Sequence, residues 1–286
     1  MSIESERSRL IFQKTERALQ KLSSGQEAES VHGFRTASRR LQTLLEQIIP
    51  DRNRNQKKLL KMLDRTRKCA GKVRDLDVQL SALRSLKVPQ EPRRKTQLTH
   101  GLIELRAKHE KKLRKMLTKG MIREIQKRLK RASRELKSGA ALDPLSVART
   151  MLAQVVRPAG PVTEDVLHQY RIVVKRARYA AEFASKSTAA AQMIAQLKRL
   201  QDALGNWHDW LTLTQTASKR IGDAHQSSLV AALHNVTGSK FRQAVAALSN
   251  SPMLQTPSKS VSMVLEQSRK PGTKSPMPVA KTETAA

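Results

Sequence analysis

Helix-forming residues fill the chain from residue 3 to residue 249, with glycine or proline at the interruptions. Leu, Ala, Arg, Lys, Gln and Glu dominate these stretches, and the alternation of Val, Ile and Thr with polar residues that is typical of strands is absent. The pattern restricts the chain to an all-α fold. It predicts helices at residues 3–22, 27–49, 53–86, 92–137, 143–156, 162–186, 188–203, 206–221 and 224–249.

Residues 253–286 have a different composition. Five of the eleven prolines lie in the last 35 residues, among Ser, Thr, Lys and Ala and with few large apolar groups. Such a segment cannot bury enough apolar surface to offset the entropy of ordering it. It predicts a disordered basic tail, with one short helical segment at residues 260–268.

Two sequence motifs occur twice, in the same order and at offsets of 136 and 134 residues. The pairs are VHGFRTASRRLQTLLEQ (31–47) with LHQYRIVVKRARYAAEF (167–183), and AGKVRDLDVQLSAL (70–83) with LGNWHDWLTLTQTA (204–217). Two motifs at nearly one offset are hard to obtain by chance. They predict two homologous helical bundles in tandem, at residues 1–138 and 139–252, related by an approximate twofold.

The first repeated motif places a histidine and several cations on one helix face. At about 100° per residue they form a stripe roughly 15 Å long. The stripe residues are His32, Arg35 and Arg39 in the first copy and His168, Arg171, Lys175 and Arg178 in the second. The opposite, apolar face consists of Phe34, Ala37, Leu41, Leu45 and Ile48 in the first copy and Tyr170, Val173, Val174, Ala177, Ala181 and Ala184 in the second. An ordinary solvated face would intersperse Glu among the cations, and this stripe has none.

The overall charge points to a polyanionic partner. The chain has 55 Lys and Arg against 24 Asp and Glu, a net charge of +31. Such a surplus repels itself unless an anion is supplied, by nucleic acid, anionic lipid or polyphosphate.

No apolar run is long enough to span a membrane and no signal peptide is visible, so we expect a cytoplasmic protein. A single cysteine, Cys69, excludes an intramolecular disulfide.

The sequence does not indicate an enzyme. The seven histidines show no His-x-x-x-His spacing, and carboxylates near the repeated motifs are sparse. We therefore predict no catalytic residue, no metal ligand and no cofactor. Phosphotransfer through a histidine is the one enzymatic alternative that stays open.

Four segments resemble the motifs of the CHAD family, the conserved-histidine α-helical domain: VHGFRTASRRL, GKVRDLDV, LHQYRIVVKRARYAAEF and LKRLQDALGNWHD. The resemblance spans about residues 5–250. It implies two four-helix bundles related by pseudo-twofold symmetry, which bind long-chain inorganic polyphosphate in a basic central groove. Family members are associated with polyphosphate granules and are not regarded as enzymes. Many relatives carry a triphosphate-tunnel (CYTH) domain ahead of this one, and no barrel of strands is predicted here, so we expect a stand-alone member.

Carried over by position, the resemblance implies a set of groove residues. They are His32, Arg35, Arg39, Arg40 and Arg74 from the first copy, and His168, Arg171, Lys175, Arg176, Arg178, Lys198, Arg199 and His208 from the second. Arg74 and His208 occupy the two Gly-x-x-(Arg/His)-Asp segments. Gln42 stands where the second copy has Arg178, so the two halves should not contribute equally.

Several alternatives stay open at this level. His32 and His168 either donate to phosphate oxygens or cap and pack at a junction between helices, and Asp75 and Asp209 are expected to orient cations or cap helices. The basic helix at 93–137 is either a solvated face or a second anion contact. Nucleic acid is the rival ligand, bound through its phosphates because only 3% of the residues are aromatic. The tail could also tether granules to the nucleoid or to granule proteins.

Overall fold

A computed structural model describes residues 5–49, 51–88, 90–136, 142–155, 160–222 and 227–255. Within these ranges the chain forms helices and no strands, so the predicted all-α fold is confirmed. The helices are α1 (Ser5–Ser24), α2 (Ala28–Thr43), α3 (Arg54–Ser85), α4 (Pro92–Met116), α5 (Lys119–Arg134), α6 (Pro144–Ala153), α7 (Glu164–Ala181), α8 (Thr188–Ile221), α9 (Ser228–Ser249) and α10 (Pro252–Gln255). A π-helical turn, Leu44–Ile48, continues α2. The helical segment predicted at residues 260–268 lies outside the described residues.

The single helix predicted at residues 92–137 is wrong, because α4 ends at Met116 and α5 begins after Thr118. Leu117 leaves the helical conformation, with ψ at 59°. The Thr118 hydroxyl accepts a hydrogen bond from the Met121 amide at 3.2 Å, which caps the new helix. The break lets α5 pack on α1 and α3. The apolar face of α5 then packs into the core, where Ile125 is fully buried.

The two helices predicted at residues 188–203 and 206–221 are one helix, α8. Gly205 lies in its interior, between the buried residues Leu204 and Trp207, which expose 0% and 1% of their surface. A mid-helix glycine costs about 1 kcal/mol relative to alanine. Burying one large apolar side chain stabilises by about 1.5–3 kcal/mol, so packing outweighs the local preference for a break.

The equivalent helices of the sequence repeat pack against each other. Helix α2 contacts α7, and the two longest helices, α3 and α8, contact each other. One hydrophobic cluster joins residues of α1, α2, α3 and α5 to residues of α6, α7, α8 and α9. A smaller cluster joins the ends of α3 and α8 to the starts of α4 and α9. Both clusters therefore contain residues from both sides of residue 138. The division into two bundles related by a twofold stays a prediction.

Gly205→Ala is expected to stabilise the protein. A Cβ at Gly205 would meet no atom within 4 Å, so alanine restores helix propensity without a clash. We expect the free energy of unfolding to rise by about 0.5–1 kcal/mol. Urea denaturation followed by circular dichroism measures it, and a loss of stability would contradict an unbroken α8.

Candidate anion-binding site

Helices α2, α3 and α7, together with the π-helical turn, enclose a cavity of about 530 Å³. Eight Lys and Arg residues and three acids line it, an excess of five positive charges. The cations are Arg35 and Arg39 from α2, Arg67, Lys68 and Lys72 from α3, and Arg171, Lys175 and Arg176 from α7; the acids are Glu46, Asp64 and Asp75. A concave surface with this charge attracts anions and raises their local concentration.

The apolar faces of α2 and α7 orient the cations. Every residue predicted for the apolar face of α2 and its π-helical turn is buried, and on the α7 side the one exception is Val173, which is half-buried. Because the cations lie on the other side of each helix, burial of the apolar side turns them toward the cavity. The predicted segregation of the stripe from the core is therefore confirmed.

Arg35 is held in the cavity wall by two neighbours on α3. Its guanidinium lies 3.6 Å from the Asp75 carboxylate. It also lies directly over Gly71, so closely that a Cβ on that residue would overlap the Arg35 Nη1. At the equivalent glycine of the second copy, Gly205, the same position is open. The close approach of Arg35 to α3 thus depends on the absence of a side chain at Gly71.

Two of the acids neutralise part of the wall. Asp64 lies 2.8 Å from the Lys68 ammonium and also pairs with Arg67. Although burial acts in the opposite direction, these partners hold the pKa of Asp64 below its ordinary value. Glu46 accepts a hydrogen bond from Gln42 at 2.8 Å. Among the described residues, five cations of the cavity have no carboxylate within 4 Å: Arg39, Lys72, Arg171, Lys175 and Arg176.

Lys175 lies where this charge is most concentrated. Burial, followed by the charges of Arg39, Arg171 and Arg35, lowers the pKa of Lys175 to about 7. Asp209 on α8 opposes the shift but does not cancel it. The ammonium of Lys175 is therefore only partly protonated at neutral pH, and an anion placed beside it would restore its charge.

The predicted histidines occupy different places. His168 lines the cavity, and its ring centroid lies 5.5 Å from that of His208. Burial, and then the charges of Arg171, His168 and Lys175, lower the pKa of His208 to about 4, so this ring is neutral at physiological pH. Burial and then the charge of Arg74 also lower the pKa of His32, which lies outside the cavity lining. Of the three rings, only that of His168 is placed to contact an anion in the cavity directly.

Arg40 and Arg178, two further predicted groove residues, are tied to an acid. Glu182 lies 2.6 Å from Arg40 and 3.4 Å from Arg178. Both guanidiniums lie over the Tyr179 ring, 5.7 and 5.3 Å from its centroid. The expectation that the stripe has no compensating acid is therefore wrong at its C-terminal end. Tyr179 itself lines the cavity, whereas neither arginine does.

The other predicted residues also lie outside the cavity lining. Lys198 pairs with Asp202 at 2.6 Å on an exposed face of α8, and Arg199 beside it is exposed. Arg74 is half-buried, close enough to His32 to affect its pKa. The structure thus brings together six of the thirteen predicted residues in one cavity: Arg35, Arg39, His168, Arg171, Lys175 and Arg176.

Sequence reasoning missed the three cavity cations of α3. Arg67, Lys68 and Lys72 stand within one helical turn of Gly71, a spacing that would have placed them beside the repeated motif. At an offset of 134, the second copy has Gln201, Asp202 and Asn206 instead. Because the site was predicted from motifs that occur in both copies of the repeat, these cations, which are present in only one copy, were not predicted to be part of it.

The comparisons with known proteins agree with this architecture. The family model of the CHAD domain matches residues 9–218, so the chain belongs to the CHAD domain family, which is associated with polyphosphate binding in general. The crystal structure of the CHAD domain from the plant Ricinus communis matches with a TM-score of 0.58 and 18% sequence identity, over 88% of this chain and 89% of that chain. At that identity the likeness shows the fold alone. The comparison with curated proteins finds no match.

Neither a metal site nor a membrane-spanning helix is found among the described residues. Within those ranges, no three His, Cys, Asp or Glu side chains come together in a group that could hold a metal ion. Of the helices α1 to α10, none is long and apolar enough to cross a membrane.

Gly71→Ala tests the contact between Arg35 and α3. The added methyl group should force the guanidinium away from Asp75 and out of the cavity wall. Since a hydrogen bond to a charged group contributes about 1.5–3 kcal/mol, an anion that contacts Arg35 in the cavity should bind about tenfold more weakly, which calorimetry measures with inorganic polyphosphate as the probe. The matched control is Gly205→Ala, which should leave the affinity unchanged. Equal affinities of the two variants would show that Arg35 does not act through this position.

Proposed function

We propose that this protein binds inorganic polyphosphate in the cavity between α2, α3 and α7, and that it does so without catalysis. The observation that carries the proposal is the group of five cations in the cavity that lack a carboxylate partner among the described residues. Leaving charges unpaired in a partly buried site is unfavourable unless a ligand supplies the opposite charge. Family membership supports polyphosphate as that ligand.

The chemistry of the wall suits a chain of phosphates. Guanidinium groups bind phosphate oxygens through two parallel hydrogen bonds, and Lys ammoniums add point charges. Cations from three helices surround the cavity, so a strand within it would be contacted from several sides. Nothing in such contacts depends on the identity of a base, and a polymer of identical units needs no such discrimination.

The cavity favours polyphosphate over nucleic acid. Single-stranded nucleic acids bind best where bases stack on exposed aromatic rings. Tyr179 is the one aromatic residue besides His168 among those that line the cavity; its ring is buried, and Arg40 and Arg178 cover it. A duplex is too wide to enter about 530 Å³ and would meet only the rim. Weak, salt-sensitive nucleic-acid binding is then a consequence of the net charge of +31.

The absence of catalysis is supported by the state of the acids that line the cavity. Asp64 pairs with Lys68 and Arg67, Asp75 lies against Arg35, and Glu46 is hydrogen-bonded to Gln42. A general base must be free to take a proton from its substrate. Asp64 and Asp75 pair with cations instead, and orienting cations is the role expected for Asp75. Association with polyphosphate granules would follow from the ligand.

Arg39→Gln/Arg171→Gln should abolish most of the binding. These two residues lie on opposite repeat helices, and among the described residues neither has a carboxylate within 4 Å, so their loss removes ligand contacts without breaking an ion pair; Asp209, on which the charge of Arg171 acts, keeps Lys175 nearby. At about 1.5 kcal/mol or more for each charged contact, we expect about 100-fold weaker affinity for long-chain polyphosphate at physiological salt. Isothermal titration calorimetry, with duplex DNA as competitor, measures it.

The matched control is Arg17→Gln/Arg123→Gln, which removes the same charge from exposed positions on α1 and α5. If this control loses as much affinity as the cavity variant, binding belongs to the overall charge and the cavity has no special role. Displacement of polyphosphate by duplex DNA at physiological salt would make nucleic acid the better ligand.

Lys175 should make the affinity depend on pH. Its pKa of about 7 in the free protein rises when a polyanion binds, so binding takes up a proton above that pH. Affinity must therefore fall as pH rises, by at most about tenfold per pH unit. His32 and His208 add nothing in this range, because their pKa values lie below 6.5. Titrations between about pH 7 and pH 9 should show this slope in the wild type and lose it in Lys175→Arg, whose charge does not titrate.

A further inference from the structure

Helix α4 carries a second group of cations close to one wall of the cavity. It packs against α3, and the charges of its residues Lys108 and Lys112 act on His109 together with that of Lys72, which is itself part of the cavity lining. Burial and then the charges of Lys72, Lys112 and Lys108 lower the pKa of His109. The charges of Lys72 and Lys112 also act on Cys69, next to Lys72 on α3. The charges of Lys72 on α3 and Lys112 on α4 therefore act on groups of both helices.

The three lysines of this group are available to an external anion. Lys72, Lys108 and Lys112 are exposed, and within the described ranges none has a carboxylate within 4 Å. Glu110, the acid nearest to them along α4, is already bound by Arg106 and Arg114, at 2.6 and 2.9 Å. Glu110 thus stabilises neighbouring arginines rather than the lysines.

The spacing of these lysines continues a row that begins in the cavity. Lys68 and Lys72 are one turn apart on α3, and so are Lys108 and Lys112 on α4, about 6 Å along each axis. Lys68 pairs with Asp64 inside the cavity, whereas Lys72 lines the cavity, is exposed, and lies close enough to α4 for its charge to act on His109. A polyanion that fills the cavity and is longer than it would therefore meet Lys72 and then the α4 lysines as it leaves.

We propose that α4 carries an exit subsite, formed by Lys72, Lys108, His109 and Lys112, that holds the part of a polyphosphate chain extending beyond the cavity. The identity of the ligand rests on the proposed function. The subsite would make the protein prefer long chains, because a short chain satisfies the cavity alone and gains nothing from α4. Affinity would then grow with chain length until the subsite is filled.

The basic surface of α5 provides a contrast. Its Arg128 and Arg131 pair with Glu124 and Glu135, and no α5 residue lines the cavity. Lys127 and Lys130 on the same helix are exposed, so they carry the same charge as the α4 pair without its position. They supply a control that is matched in residue type, helix exposure and charge.

The experiment compares two ligands and two variants of the full chain. Tripolyphosphate and long-chain polyphosphate are titrated at several salt concentrations into Lys108→Gln/Lys112→Gln and into the control Lys127→Gln/Lys130→Gln. For the α4 variant we expect an unchanged affinity for tripolyphosphate, about tenfold weaker binding of the long chain, and a salt slope smaller by about 1.4 for two lost phosphate contacts. The control variant should match the wild type with both ligands, and circular dichroism should show unchanged helicity in both variants.

Other outcomes overturn the inference. Equal losses in the two variants would assign the effect to net charge, and an equal loss for both ligands would place the α4 lysines in the cavity site itself. If the α4 variant binds long chains like the wild type while Arg39→Gln/Arg171→Gln does not, the exit subsite is wrong and the proposed function stands. If the wild type binds neither ligand, the proposed function fails and the subsite fails with it.

Discussion

Repulsion between like charges at the contact of α2 with α7 is the constraint on which the site depends. Each helix buries an apolar face, at residues such as Phe34 and Tyr170, and therefore presents its cationic face toward the shared cavity. Hydrophobic burial holds the helices in this arrangement, which also brings their cations close together and is electrostatically unfavourable. Lys175 shows that cost directly, since burial and then Arg39 lower its pKa to about 7. The protein tolerates a partly deprotonated lysine rather than a wider separation of the two helices.

The chain compensates this charge selectively. Glu182 binds Arg40 and Arg178 at the end of the stripe, and Asp64 binds Arg67 and its neighbour on α3. These contacts hold long side chains in place and reduce the repulsion around the cavity, which lowers the entropy that a ligand would have to overcome. The cations that stay uncompensated lie between them, in the cavity.

The sequence allowed the cationic face and its apolar backing to be predicted, because both follow from helical periodicity within a single segment. It did not reveal Glu182 as a partner of Arg40, since 142 residues separate them. It also placed a helix break at Gly205 and none near Leu117, because local propensity was the only guide. The packing of Trp207 keeps α8 continuous, and the cap at Thr118 lets α5 turn back onto α1.

By itself, the sequence determined that the chain is helical, which faces are apolar, and that cations outnumber acids by 31, since these depend on composition and on spacing along one helix. Tertiary structure alone decided which cations share a cavity. Helix α3 packs beside α2, with Gly71 directly against Arg35. This packing brings Arg67 and Lys72 of α3, which have no basic counterparts in the second copy of the repeat, into the cavity wall. Which side chains meet depends on how distant helices pack, and packing is set by the whole core rather than by any local pattern.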